Sequence, residues 1–215
     1  VVEHPYKDYD TDVYPVPVIN YEGDNFWFRG LGGGYYLWND ATDKLSITAY
    51  WSPLYFKAKD SGDHQMRHLD DRKSTMMAGL SYAHFTQYGY LRTTLAGDTL
   101  DNSNGIVWDM AWLYRYTNGG LTVTPGIGVQ WNSEKQNEYY YGVSRKESAR
   151  SGLRGYNPND SWSPYLELSA SYNFLGDWSV YGTARYTRLS DEVTDSPMVD
   201  KSWTGLISTG ITYKF

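Results

Sequence analysis

This chain predicts a single all-β domain, a transmembrane antiparallel β-barrel of about ten strands, with twelve as the alternative. Three observations predict it: two-residue alternation recurs from end to end, Tyr and Trp are abundant in a polar chain, and short connections alternate with long ones. With only every second residue meeting lipid, such a barrel tolerates low hydropathy. The chain has 22 Tyr and 9 Trp among 215 residues, yet 40% hydrophobic residues and a mean hydropathy of -0.61. Rings with one wet and one apolar end belong at a membrane-water boundary. No composition break divides residues 1–215.

Taken in order, residues 1–6 read as the far end of a first strand whose beginning is missing. A start at Val1 instead of Met fits signal-peptide removal or trimming of a disordered end. Residues 13–20 and 26–38 read as two strands or one kinked passage. Pro15 and Pro17, lacking ladder donors, favour an edge there. The run Gly30-Leu31-Gly32-Gly33-Gly34 favours sharp coiling; no Lys-Ser/Thr follows it, so a phosphate cradle is a poor reading.

Next, Leu45, Ile47, Ala49, Trp51 and Tyr55 alternate against Ser46, Thr48, Tyr50 and Ser52. Residues 74–85, 88–98 and 178–189 show weaker faces but have the length of tilted spanning strands. The clearest segments lie between and after these. Ile106, Trp108, Met110, Trp112, Tyr114 and Tyr116 oppose Asp109 and Arg115; Leu121, Val123, Pro125, Ile127, Val129 and Trp131 oppose Thr122, Thr124, Gly126, Gly128 and Gln130. Pro125 predicts a bulge. Trp162, Pro164, Leu166, Leu168, Ala170, Tyr172 and Phe174 face away from Ser163, Tyr165, Glu167, Ser169, Ser171 and Asn173. The final strand, residues 203–215, places Trp203, Gly205, Ile207, Thr209, Ile211, Tyr213 and Phe215 on one side. Trp51, Trp108, Trp112, Trp131, Trp162, Trp178 and Trp203 supply an aromatic girdle.

The connections 86–87, 117–120 and 175–177 are short, whereas 55–73, 131–162 and 189–201 are long and polar. Bacterial barrels pair tight periplasmic turns with longer extracellular loops, which puts Phe215 on the periplasmic side. No stretch approaches the ~20 apolar residues of a spanning helix. A net charge of -6 argues against a nucleic-acid partner, and the absence of Cys excludes disulfides and thiolate metal sites.

The alternation turns Arg29, Arg92, Asp98, Asp109, Arg115, Glu167, Arg185 and Lys214 inward. Eight strands leave an interior just wide enough for side chains, while open channels need roughly sixteen. An ion-pair network filling a narrow lumen is therefore the expectation, and a narrow channel for small solutes the alternative. Catalysis finds little support. His84 has no nucleophile beside it, and His64 and His68 lie in a loop rich in Asp that reads as solvated. No metal, cofactor or catalytic residue is expected. Arg145, Lys146, Arg150 and Arg154 in the longest loop offer contacts to lipopolysaccharide phosphates.

The segment Tyr14-Pro15-Val16-Pro17-Val18-Ile19-Asn20-Tyr21-Glu22-Gly23-Asp24-Asn25-Phe26-Trp27-Phe28-Arg29-Gly30, with Gly34-Tyr35-Tyr36-Leu37 after it, resembles the amino-terminal signature of the MipA/OmpV family. The likeness continues to Tyr213-Lys214-Phe215. The resemblance implies a non-enzymatic scaffold of the bacterial outer membrane that links a lytic murein transglycosylase to a bifunctional penicillin-binding murein synthase in peptidoglycan assembly. It supplies no catalytic motif and does not locate the partner surface. Physically, such partners must meet the periplasmic rim, at residues 39–44, 86–88, 117–120 and 174–177. Ile211, Tyr213 and Phe215 look like the terminal signal read by the barrel-assembly machinery.

Overall fold

The computed structural model describes residues 1–15 and 20–214. Its strands are β1 (Val2–Glu3), β2 (Tyr21–Glu22), β3 (Phe26–Arg29), β4 (Gly32–Asn39), β5 (Asp43–Ser52), β6 (Thr75–Thr86) and β7 (Gly89–Asp98), followed by β8 (Ile106–Leu113), β9 (Tyr116–Asn118), β10 (Leu121–Asn132), β11 (Ser161–Leu175), β12 (Trp178–Arg188) and β13 (Trp203–Tyr213). They form one antiparallel sheet in the order β1-β13-β12-β11-β10-β8-β7-β6-β5-β4-β3-β2, with β9 also on β10. The sheet curls into a half-barrel. Three short helices, α1 (Glu134–Tyr141), α2 (Arg145–Ser151) and α3 (Asp191–Thr194), lie in the connections.

Twelve strands lie along this path, which is the alternative count and two more than ten. The difference arises near the amino terminus. Gly30 adopts φ +56 and turns the chain tightly between β3 and β4, so residues 26–38 are two strands. Residues 13–15 and 20 are not in strands, and Val16–Ile19 lie outside the described residues. The glycines of β4 admit aromatic side chains against the backbone: a Cβ on Gly34 would lie 2.6 Å from Trp27 Cε2.

Pro125 makes no bulge. Leu113 pairs with Gly126 and Tyr116 with Val123, so the register is unchanged across the gap between β8 and β9. The Tyr114 N–H donates to Pro125 O at 3.0 Å, but proline has no N–H to return a bond, and the ladder is merely interrupted. The bulges lie instead between Asn173 and Leu175 and between Tyr36 and Trp38.

Polar and small side chains predominate on the concave face, which also carries two buried apolar clusters, one around Met77 and Val107 and one around Ala111 and Leu113, and apolar side chains cover the convex face. On β11, Ser161, Ser163 and Tyr165 are buried while Trp162, Pro164, Leu166 and Leu168 are exposed. That inversion of the soluble pattern is what a lipid solvent requires. Trp131 pairs with Trp162 on one side and Trp108 on the other, forming a row across three strands. Tyr172 and Trp178 mark the opposite end. Ten residues separate Trp162 from Tyr172, which at ~3.3 Å per residue and ~40° tilt spans about 25 Å, the height of a lipid-facing band.

The long connections do not stay solvated. Together with residues 4–9 they pack into a cap over one end of the half-barrel. Its core contains Tyr6, Phe56, Met66, Leu69, Tyr140, Tyr141, Val143, Val193 and Met198. Local signals build its helices. Ser133 caps α1, and Ser144 with Glu147 forms a capping box on α2, which ends at Gly152 with φ +78. Tyr55 belongs to this cap, bonded to Asp12, and not to the lipid face.

Candidate functional site

Four of the inward charged residues meet across the concave face. Arg92 of β7 reaches Glu167 of β11 at 3.0 Å, and Arg185 of β12 reaches Asp109 of β8 at 2.6 Å. Because neither pair joins adjacent strands, only a curled sheet can bring them together. Tyr165 joins the two pairs. Its hydroxyl donates to Asp109 at 2.5 Å and lies 3.5 Å from Arg92 Nη2, while its ring stacks 3.5 Å under the Arg185 guanidinium. Gln130 Oε1 accepts from Arg185 at 3.2 Å. The result is a polar crossbar at mid-depth.

The other inward charges lie elsewhere. Arg29 sits where β3 ends and pairs locally with Glu22 at 2.9 Å, both largely exposed. Arg115 lies 5.8 Å over the Tyr90 ring, near the short-turn end. Lys214 follows the last strand and is exposed; its backbone N–H donates to Asp177 O at 2.9 Å. Asp98 organises a loop, accepting from the N–H groups of Leu100, Asn102 and Asn104. Depth along the strand separates them, a coordinate that alternation does not encode.

A further charge pair, which the sequence alternation does not signal, ties the cap together. Arg72, from the β5–β6 connection, donates to Glu147 of α2 at 2.9 Å and to Gly142 O at 3.0 Å, with both side chains under a tenth exposed. Glu147 also accepts from Asp70 N and Ser144 N. The Ser144-x-x-Glu147 capping box was the available signal for this corner.

At the cap edge, His4 Nε2 lies 2.7 Å from Asp12 Oδ2, and Tyr14 and Tyr55 donate to the same carboxylate. Burial raises the Asp12 carboxyl pKa, but these hydrogen bonds outweigh it and hold the group below its usual value. Burial drives the hydroxyls of Tyr6, Tyr140 and Tyr141 well above theirs.

The remaining histidines lie apart. His84 pairs with Asp43 at 2.8 Å on the convex face near the short turns. His64 and His68 are exposed on the cap, their rings 5.2 Å apart. Among the described residues no group of three or more His, Cys, Asp or Glu side chains could hold a metal. Of the basic loop residues, Arg150 pairs with Asp70, and Arg154 bonds Asp195 O and stacks on Tyr156, leaving Arg145 and Lys146 exposed.

At the short-turn end, Asp40 shapes the β4–β5 turn. Hydrogen bonds from the Asp43 and Thr42 backbone and the Trp38 indole hold its carboxyl down to about 2. Trp38, Tyr88 and Leu175 are exposed around this rim. Ile211 and Tyr213 are exposed on the convex face, Tyr213 5.0 Å from Trp178, while Phe215 lies outside the described residues. Trp51, Trp108, Trp112, Trp162, Trp178 and Trp203 are exposed, and Trp131 is half-buried.

Comparison with known proteins turns this architecture into a family. Residues 1–215 match the family described as MltA-interacting protein MipA. The chain belongs to the MipA family. It is 39% identical to the outer membrane protein YiaT of Escherichia coli (strain K12) over 213 residues, covering 99% of this chain and 87% of YiaT. It is 24% identical to the outer membrane protein OmpV of Vibrio cholerae, covering 97% of this chain and 81% of OmpV. Omp26La of Vibrio anguillarum is likewise 24% identical. This MipA-family chain is therefore an outer-membrane protein, and the convex apolar band is its lipid contact.

Proposed function

We propose that this protein is a non-enzymatic outer-membrane scaffold, which holds a lytic murein transglycosylase and a bifunctional penicillin-binding murein synthase at its periplasmic rim. The observation that carries the reading is the closure of the molecule from the other side: a packed cap covers the long-loop end, and the Arg92–Glu167 and Arg185–Asp109 pairs cross the concave face beneath it. Such a wall offers a surface more readily than a path. The family's description, MltA-interacting protein, supports the first partner. His4 and His84 are bonded to the carboxylates of Asp12 and Asp43, and His64 lies against His68, none of them on a hydroxyl nucleophile among the described residues; this supports the non-enzymatic reading, since nucleophilic catalysis needs a base beside its nucleophile.

The short turns offer little area beside the ~800 Å² per partner of a standard interface. Binding is therefore modest and gains from avidity or from membrane anchoring of the partner. Ile211, Tyr213 and Phe215 act earlier, as the signal for the barrel-assembly machinery.

Pull-down with the turns at residues 39–44, 86–88, 117–120 and 174–177 replaced one at a time tests the scaffold. At least one replacement in a correctly folded barrel abolishes capture of a murein enzyme. Capture of neither enzyme by the unaltered protein at micromolar concentration refutes the reading.

A further inference from the structure

The convex face is almost free of charge along its strands, which makes its exceptions informative. Near the short turns, the Asp43 carboxylate is bonded by His84 at 2.8 Å. Near the cap, Arg188 ends β12. It pairs in register with Trp203 of β13, and Tyr186, two residues earlier, stacks on that indole at 5.7 Å. Both rings are exposed on the lipid side. Arg188 is exposed too, and among the described residues its guanidinium has no hydrogen bond or ion pair. Glu3, the carboxylate across β13, is already held by Lys201 and Thr11.

The neighbouring donors are also unspent. Trp108 and Trp131 direct their indole N–H groups to Thr93 and Asp160, each at 2.8 Å. Among the described residues, the indole N–H groups of Trp162 and Trp203 and the Tyr186 hydroxyl have no such partner. Leu166 pairs with Tyr186, so Pro164 and Trp162 continue up β11 beside Arg188. One patch thus presents a forked cation and three neutral donors at the depth of the aromatic girdle. An unpaired charge on a lipid-facing strand is costly unless it reaches headgroups.

We propose that Arg188, with Trp203, Tyr186 and Trp162, binds the phosphate of a phosphorylated glycolipid, lipopolysaccharide, in the outer leaflet. Phosphate is an acceptor-only anion that matches the guanidinium fork bidentately. The rings provide apolar sides for the glycolipid's acyl roots and donors for its sugar oxygens. The site is separate from the basic residues atop the cap and does not depend on the scaffold reading.

Native mass spectrometry of the detergent-solubilised barrel titrated with diphosphoryl lipid A, and with lipid A stripped of both phosphates, tests this site. Folding of each variant is checked by heat-modifiable gel migration. The unaltered protein binds the diphosphoryl form about tenfold or more tightly than the stripped form. Arg188→Gln removes that preference; Arg188→Lys, which keeps the charge and the fold but loses the fork, retains only part of it. Arg67→Gln, on the exposed cap, binds like the unaltered protein. Equal binding of the two lipids, full preference in both Arg188 variants, or an equal loss in Arg67→Gln overturns the proposal.

Discussion

The wall and the cap are built by opposite rules within one chain. In the wall, Leu166 and Ile127 are exposed and Ser163 and Thr124 are buried; in the cap, Phe56 and Met66 are wholly buried while Arg67 and His68 are exposed. The wall's ladders satisfy its backbone, and lipid covers its apolar face. The cap faces water and must make a core of its own from four separate stretches of chain. Solvent, more than composition, decides which side of each element is apolar.

The largest expected effect that sharpens this contrast comes from the buried cap pair. Glu147→Ala leaves Arg72 charged and unpaired, at a cost of about 3–5 kcal/mol. Hydrogen exchange should accelerate across residues 53–74 and 133–160 while β10–β12 stay protected. Loss of protection in both regions together would mean that wall and cap form one cooperative unit.

Cavity formation should follow the same division. Met66→Ala, at a fully buried site, should cost about 2–5 kcal/mol. Proteolysis of the cap connections in folded barrels reports it, and unchanged resistance would contradict a packed cap. A smaller effect is expected in the crossbar. Asp109→Asn keeps the shape but leaves Arg185 without its carboxylate, costing about 1–2 kcal/mol in a partly hydrated lumen. Chemical denaturation in detergent measures it.

Alkali should also separate the regions. Burial raises the hydroxyl pKa values of Tyr6, Tyr140 and Tyr141 above the ordinary 10.0. Their folded-state contribution is complete below that ordinary value and is lost as pH rises through the higher folded values. The cap should loosen above about pH 10, with late tyrosinate absorbance. Tyrosinate appearing at its ordinary pH without cap loosening would show that these side chains are solvated.

The wall was largely legible in sequence because a period of two reports which face each side chain takes. The alternation matches the observed burial over residues 162–168 of β11 and 210–213 of β13, but not over residues 206–209, where Leu206 and Ser208 are exposed along with Ile207 and Thr209. It also placed Arg92, Asp109, Glu167 and Arg185 inward, but could not tell them from Arg29 or Lys214, whose depths differ. The cap was not legible. Its contacts join residues as distant as Tyr6 and Tyr140, whose hydroxyl-to-carbonyl bond is 3.1 Å, and polar loop composition hid the few apolar anchors. The helix caps at Ser133 and Ser144 are the local signals of the cap that the sequence does carry.

If cap and crossbar together block the lumen, the proposed scaffold keeps a surface for docking and no path for solutes. Single-channel recording of the purified protein in planar bilayers tests this closure most directly. A quiet membrane is expected, with openings emerging only when Glu147→Ala and Asp109→Asn are combined. Steady, ion-selective openings of the unaltered protein, abolished by changing Arg115 or Glu167, would contradict it and make the molecule a channel.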